Sequence, residues 1–345
     1  MTNKWYEQSG NDSDVAVSTR ARLARNIKGY PFPGKMTDKQ RREILDKVGG
    51  IMTGAAGGRE FTLSRLDEGD KIKTNAMVEK HLISPNMTKD TGPRGVILSG
   101  DEHISVMVNE EDHLRIQALA PGFCPWDCIR EVEKVDKLIS GGLEFAFDER
   151  LGYLTHCPTN LGTGLRVSVM LHLPALTETG RIKGIIDQAD KLGIAVRGIY
   201  GEGSKAEGCL YQISNQITLG ITESEIVRQV ENTVTDIINQ ERTARQRLYR
   251  ENPTEVEDRA WRAAAVLSCA RKISTDEAMR LLSDLRMGAA LGIIKGVDTG
   301  KINGLINEIQ PAAICDEAGA VLSDGDRDKH RAELIRKEIN TELLK

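Results

Sequence analysis

Asn109-Glu110-Glu111-Asp112-His113-Leu114-Arg115 follows an alternating apolar run, Ile104, Val106 and Val108, that reads as a strand. Three carboxylates crowd against a histidine and an arginine. Adjacent carboxylates raise one another's pKa and repel unless a cation neutralises them. A site that takes both a guanidinium and a triphosphate would meet that need. Outward from this run, Gly95–Ser99 and 104–109 read as two strands joined at Gly100-Asp101-Glu102, a hairpin-like turn. An amphipathic helix follows over 125–140, with Ile129, Val132, Val135, Leu138 and Ile139 on one side. Residues 152–156 and 165–173 are further strands. In the second, Leu165, Val167, Val169, Leu171 and Leu173 alternate with Arg166, Ser168, Met170 and His172.

The pattern extends in both directions. Residues 1–30 read as an extended arm entering a strand, where Val15, Val17 and Thr19 alternate with Asp14, Ala16 and Ser18. Residues 39–48 form a helix capped by Thr37 or Asp38. A glycine-rich loop is expected over 49–58, and helical or mixed structure over 71–83, before Pro85. Downstream, 181–192 is a helix closed by Gly193. Residues 195–199 and 209–214 are strands flanking a glycine-rich loop, and 222–249 is one long helix. A boundary falls at Asn252-Pro253-Thr254, after which strand signals stop. Candidate helices there are 261–271, 275–287, 301–309 and 327–344. Two units result, 1–250 and 255–345; the second is all-α and about 90 residues long, an ordinary domain size.

Composition narrows the function classes. Over 345 residues, 47 Lys+Arg face 51 Asp+Glu, so bulk charge gives no reason to expect nucleic-acid binding. Any anion site must come from local arginine clustering. The N-terminal stretch has no apolar core of a signal peptide, and no run of eighteen apolar residues predicts a membrane span. Six scattered cysteines suit a reducing cytoplasm better than a disulfide framework. Cys124 and Cys128, with His113 the nearest histidine, match no common zinc pattern and read as packing residues.

Several residues carry chemistry. In Ser18-Thr19-Arg20-Ala21-Arg22, the two arginines lie two apart and share one face of a strand. Side by side they repel unless an anion sits between them, and a triphosphate fits their forked donors. A solvated basic strand face, continued by Arg25 and Lys28, explains the same pattern without function. Arg166 alternates with apolar neighbours and so projects away from the core. No Gly-x-x-x-x-Gly-Lys-Ser/Thr loop occurs, and Gly198-Ile199-Tyr200-Gly201-Glu202-Gly203 is only a weak glycine-rich signal. On the acceptor side, a guanidinium has a pKa above about 12 and is a poor nucleophile while protonated. Paired carboxylates can orient it and take its proton. Glu111 is the expected base and Glu202 its partner. Asp112 fits either of two tasks, fixing an arginine or approaching a metal, and the sequence leaves both open. Cys157 precedes Pro158-Thr159-Asn160, whose polar donors beside a cationic substrate favour a thiolate. His81, taken alone, reads as a core histidine.

The acidic run, together with Cys157-Pro158-Thr159-Asn160-Leu161-Gly162-Thr163-Gly164-Leu165-Arg166, resembles the phosphagen (guanidino) kinases, and most of all their bacterial protein-arginine branch. The resemblance implies an α+β fold, glutamine synthetase/guanido kinase-like, with a large antiparallel sheet flanked by helices and then a C-terminal α-helical domain. It implies ATP and Mg²⁺, the metal arriving with the nucleotide rather than on protein ligands. Nucleotide contacts are implied for 18–22, for Arg115, for Arg166, Val167, Ser168, Val169 and Met170, and for Arg197, Gly198, Ile199, Tyr200, Gly201 and Glu202. The family's histidine at the place of His81 stacks on adenine, and its cysteine at the place of Cys157 touches the guanidinium. Tyr200 departs from the metabolic enzymes, which have an arginine there.

The metabolic enzymes also carry a helical domain before the Ser-x-Arg-x-Arg segment. Here that segment begins at Ser18, which points to an open acceptor cleft and a protein substrate. Arg327-Asp328-Lys329-His330-Arg331-Ala332 resembles the subfamily motif that binds phosphoarginine and tunes activity allosterically. On a helix Arg327 and Arg331 share one face and are expected to clamp one phosphate. Further implied are protein substrates with exposed arginine, a homodimer, a zinc-binding activator protein, a stress-gene repressor as target, and marking for Clp-type proteolysis in the cytoplasm. Two rivals remain: a kinase for free arginine or another small guanidino compound, and a phosphoarginine-binding adaptor with weak catalysis.

Overall fold

A computed structural model describes residues 4–54, 59–89, 92–198 and 207–339. Ten strands occur among them: β1 (Ala16–Arg25), β2 (Phe61–Arg65), β3 (Gly95–Ser99), β4 (Ile104–Val108), β5 (Leu114–Pro121), β6 (Phe147–Asp148), β7 (Gly152–Tyr153), β8 (Leu165–His172), β9 (Ile194–Gly198) and β10 (Leu210–Asn215). Helices of the first unit are α1 (Asp38–Gly54), α2 (Lys71–Glu79), α3 (Pro125–Ser140), α4 (Pro174–Glu178), α5 (Ile182–Lys191) and α6 (Glu223–Glu251). Eight strands form one sheet in the order β2-β3-β4-β5-β1-β8-β10-β9, and every neighbouring pair is antiparallel. The expected sheet is therefore present. Its central neighbour β5 and its edge strand β2 were not marked by the sequence pattern.

One face of the sheet is the core. Ala21, Leu23, Ile116, Ala118, Val167, Val169 and Leu171 point into it and meet α1, α3, α5 and α6. From α3 come Cys128, Ile129, Val132, Val135 and Ile139, at the spacing the sequence showed. Burying each of the larger ones is worth about 2 kcal/mol. Helix α1 overrides the expected glycine-rich loop and continues to Gly54. Met52 is buried, and a Cβ on Gly49 would lie 2.9 Å from Leu63 Cδ2, so close packing on β2 explains a glycine within the helix. The cap of α6 is a reciprocal box: Glu225 N donates to Thr222 Oγ1, and Thr222 N donates to Glu225 Oε2.

The second unit is all-helical: α7 (Pro253–Cys269), α8 (Thr275–Ala290), α9 (Thr299–Glu308), α10 (Pro311–Ala318) and α11 (Asp324–Glu338). α7 begins eight residues before the expected start, directly at Pro253, with Asn252 ending α6 and opening α7. α10 was not anticipated. The unit has its own core, which Val17 and Leu210 of the sheet enter. Arg286 fixes the docking, donating to Ser13 O and to the buried Asn303 side chain. His172 Nε2 meets Ser283 Oγ at 2.7 Å across the same boundary.

Candidate active site

Strand periodicity sorts the sequence-selected residues onto two faces. On the face away from the core, Arg22 stands opposite Arg166 of β8 and Gln117 of β5, and Arg20 opposite Ser168. Ser18, Arg20, Arg22, Arg115, Gln117, Ser168, Met170 and His81 line one cavity of about 300 Å³. Thr19, Ala21, Val167 and Val169 do not join them. Their side chains alternate into the opposite side, where Ala21, Val167 and Val169 are core residues. Thr19 Oγ1 there donates to Gly122 O at 2.7 Å and accepts from Cys124 N. Nucleotide contacts by those four side chains are thus excluded by strand alternation.

Among the described residues, Arg20, Arg22 and Arg166 crowd one another's charge. Burial, then the neighbouring Arg166 and Arg115, pull Arg20 down to about 10. Burial and the charges of Arg20, Arg115 and Arg166 lower Arg22 as well. Burial with Arg197 and Arg115 does the same to Arg166. The Nε atoms of Arg22 and Arg166 are buried with no hydrogen-bond partner among the described residues. Desolvated, mutually repelling guanidiniums with orphaned donors fit a polyanion such as a triphosphate. Arg166 Nη2 donates to Ser214 Oγ at 3.0 Å, and Arg166 lines a smaller neighbouring cavity. Arg197 is exposed at the end of β9, where its backbone pairs with Gln212, and Gly198 ends the strand. Ile199, Tyr200, Gly201 and Glu202 lie outside the described residues.

His81 has a left-handed backbone, φ +60°. Burial and the charge of Arg20 lower its pKa to about 4, so the ring is neutral at pH 7. A flat neutral ring on a cavity wall can stack a base, whereas an imidazolium would add to the cationic excess.

Each residue of the acidic turn has a separate task. Asn109 takes φ +61°, a region asparagine tolerates, and its side-chain amide donates to Arg41 O and Pro93 O. Glu110 is nearly fully buried and pairs with Arg115 at 2.9 Å, while Ser84 Oγ donates to it at 2.6 Å. Glu111 is more open and meets Arg115 Nη2 at 3.2 Å through Oε2. Arg115 thereby neutralises both acids. Asp112 is buried and, among the described residues, pairs with no arginine. Its Oδ1 accepts from Asn26 Nδ2 and from His156 N, both at 2.7 Å, so it fixes the segment that carries Cys157. His113 accepts from Ile27 N at Nδ1 and donates from Nε2 to Pro31 O, which pins the chain after β1; burial lowers its pKa and keeps it neutral.

A second cavity, about 110 Å³, is lined by Arg22, Arg115, Arg166, Glu111, Cys157, Thr159 and Asn160 among others. Glu111 and Cys157 therefore face the same space. Cys157 Sγ and Thr159 Oγ1 are 3.0 Å apart. His156 Nδ1 stands 3.9 Å from Glu111 Oε1. Arg22 and Arg115 border both cavities. Asn26, Gln117, His156 and Ser214 were missed by sequence reasoning. Gln117 and Ser214 are polar positions on apolar strands, a signal that could have found them; Asn26 and His156 are placed by contacts distant in the chain.

The C-terminal motif behaves differently from expectation. Arg331 is 1% exposed, donating from Nε to Ile309 O and from Nη1 to Ile273 O and Asp328 Oδ1. Ala332 is core. Arg327 alone of the two arginines lines an open groove, and its Nη2 pairs with Asp324 at 2.5 Å. A two-arginine clamp is not formed, because Arg331 is spent on backbone carbonyls. Lys329 and His330 are paired at the surface with Asp326 and Glu317.

Comparison with known proteins agrees with this architecture. Residues 43–244 match the family model of the ATP:guanido phosphotransferase C-terminal catalytic domain, and 253–343 that of the protein-arginine kinase McsB C-terminal domain. A protein-arginine kinase of Desulforamulus reducens is 45% identical over 98% of this chain and 96% of its own length. That of Bacillus subtilis is 43% identical over 99% of this chain and 94% of its own. Among solved structures, a lombricine kinase superposes with a TM-score of 0.59 at 26% identity, covering 69% of this chain and 70% of its own. A taurocyamine kinase from Schistosoma mansoni, solved with transition-state analogue components, gives 0.58 at 26% identity, over 78% of this chain and 40% of its own. No described helix is long and apolar enough to cross a membrane. With its arginine-lined sheet face and its matched helical unit, the chain belongs to the protein-arginine kinase branch of the ATP:guanido phosphotransferases.

Proposed function

We propose that this protein transfers the γ-phosphoryl group of ATP to a guanidino nitrogen of arginine side chains in proteins. The observation that carries the reading is that Arg22 and Arg115 border both cavities, one with the His81 wall, the other with Glu111 and Cys157. Adenine rests on His81, and the phosphates lie among Arg20, Arg22, Arg115 and Arg166, with Arg197 at the edge. The γ-phosphorus then faces the smaller cavity. As the N–P bond forms and the bond to ADP breaks, Glu111 takes the guanidinium proton; Cys157 holds the acceptor nitrogen in line. Glu202 is the proposed second carboxylate. Fixed cations aimed at the transferring group provide the main stabilisation. Mg²⁺ enters with ATP, where it shares the neutralisation of the phosphates.

Protein rather than free arginine is favoured because the full-length relatives are named protein-arginine kinases. From the motif resemblance we further infer that the product marks proteins for Clp-type degradation, that a stress-gene repressor is one target, and that a zinc-binding protein activates a homodimeric, cytoplasmic, phosphoarginine-responsive enzyme. Labelled ATP and an arginine-rich protein test the reaction: the expected label is acid-labile, as a P–N bond is. Glu111→Gln should lower the rate about 10²–10⁴-fold with ATP binding retained. Normal labelling by that variant would remove Glu111 as base. Equal activity on free arginine would instead support a metabolic kinase.

A further inference from the structure

Glu79 ends α2 and stands between two cavities. With Val78 and His81 it faces the nucleotide cavity. Its carboxylate reaches the helical unit. Oε2 accepts from Ala312 N and Ala313 N, both at 2.8 Å, and Oε1 accepts from Ala312 N at 3.0 Å. Those N–H groups are in the first turn of α10, where no carbonyl of the helix itself can serve them. A residue of the catalytic unit thus caps a helix of the other unit. Arg327 lines the groove on that side.

The other end of this link is the nucleotide wall. Lys80 N closes α2 on Ala76 O, and His81 N donates to Val78 O. Gln117 Nε2 donates to His81 O at 2.8 Å. His81 is held in a left-handed conformation that a non-glycine residue rarely adopts. Such a backbone persists only where its surroundings enforce it. Two residues before it, Glu79 is the anchor.

We propose that Glu79 is a positioning residue for nucleotide binding: clasped by the first turn of α10, it holds the end of α2 and with it the His81 ring, so that ATP affinity depends on docking of the helical unit. The proposal rests on the larger cavity being the ATP site. Calorimetric titration of the full chain with ATP and Mg²⁺, beside steady-state assays on an arginine-rich protein, tests it. Two variants break the link from opposite sides. Glu79→Ala removes the acceptor of all three bonds; Ala312→Pro removes the N–H that meets both oxygens and leaves Ala313 N on Oε2. Each should weaken ATP binding about five- to tenfold, raising KM for ATP alike and leaving kcat at saturating ATP within about twofold. The double variant should lose no more than Glu79→Ala alone, because the Ala312 N–H acts only through that carboxylate. An unchanged Kd in both variants, losses that add, or a loss confined to kcat overturns the proposal. If the unaltered chain binds ATP but leaves arginine unmodified, the functional reading fails while this link stands.

Discussion

Arg22 on β1 and Arg166 on β8 stand directly opposite each other in the sheet register, each with a buried Nε that no described residue accepts. Two desolvated cations in adjacent positions repel, and the fold tolerates them because the sheet around them is packed on its other face. The cavity therefore carries an unfavourable charge that a polyphosphate relieves.

Removing one of these cations should separate stability from activity. Arg166→Ala is expected to leave the melting temperature of the free protein unchanged or raise it, since repulsion is lost. The phosphoryl-transfer rate should fall about 10²–10³-fold, the usual loss for a preorganised charge at a transition state. The rise in melting temperature on adding ATP should shrink, because that rise reports binding to the folded state. Calorimetric scans with and without ATP decide. A clear drop in the stability of the free variant would mean that Arg166 is structural.

Asp112 provides the converse case. Its Oδ1 holds both Asn26 and the backbone N–H of His156. Asp112→Ala leaves the His156 N–H without its acceptor and should cost about 1–3 kcal/mol of stability. Activity should fall through displacement of Cys157, while ATP affinity is kept. The dependence of the rate on Mg²⁺ concentration is the sharper readout. A raised Mg²⁺ requirement in the variant would restore the alternative that Asp112 approaches the metal.

The central strands were legible because their pattern has period two. Arg20 and Arg22, and Arg166 with Ser168, fell on one face by counting alone. β5 was obscured because the acidic turn runs straight into it, and its apolar set Leu114, Ile116, Ala118, Ala120 includes two alanines that signal a strand weakly. The turn residues were legible as a cluster but not as individuals: Asp112 and His113 owe their roles to Asn26, His156, Ile27 and Pro31, far away in sequence. Period-two counting also places the side chains of Thr19, Ala21, Val167 and Val169 on the face away from the cavity, so that within these segments only alternate side chains line it. α1 ran past Gly49 because its lack of a Cβ permits contact with Leu63 of β2, which composition does not reveal.

Acid should destabilise the protein through its histidines. Burial and Arg20 lower His81 to about 4, and burial also lowers His103, His113 and His172. With folded pKa values below the unfolded value near 6.5, the unfolded chain binds more protons as pH falls from about 6.5 towards 4. Stability is therefore complete above that window and is lost within it. His81 alone should contribute a loss of up to about 2 kcal/mol by pH 5. Denaturant melts at pH 7 and pH 5 check this. His81→Gln should show a smaller difference between the two than the unaltered protein; an equal difference would mean that His81 titrates normally.

Arg327 and Arg331 are four residues apart on α11, yet their environments predict opposite behaviour. Arg331 is buried and donates to two backbone carbonyls and Asp328. Arg331→Ala leaves Ile309 O and Ile273 O without a donor and Asp328 with less charge to balance it. The expected loss is about 3 kcal/mol or more, as for other broken buried charge networks. Arg327 is partly exposed, paired with Asp324 on its own helix turn, and Arg327→Ala should cost less than about 1 kcal/mol. If an anion enters the groove, Arg327 meets it first, so Arg327→Ala should abolish any change in rate caused by phosphoarginine while leaving the fold intact. Urea melts of both variants, with rates measured at increasing phosphoarginine, separate the two roles. Equal stability losses would show that both arginines are structural; an Arg331→Ala protein that melts normally but ignores phosphoarginine would bring back the two-arginine clamp.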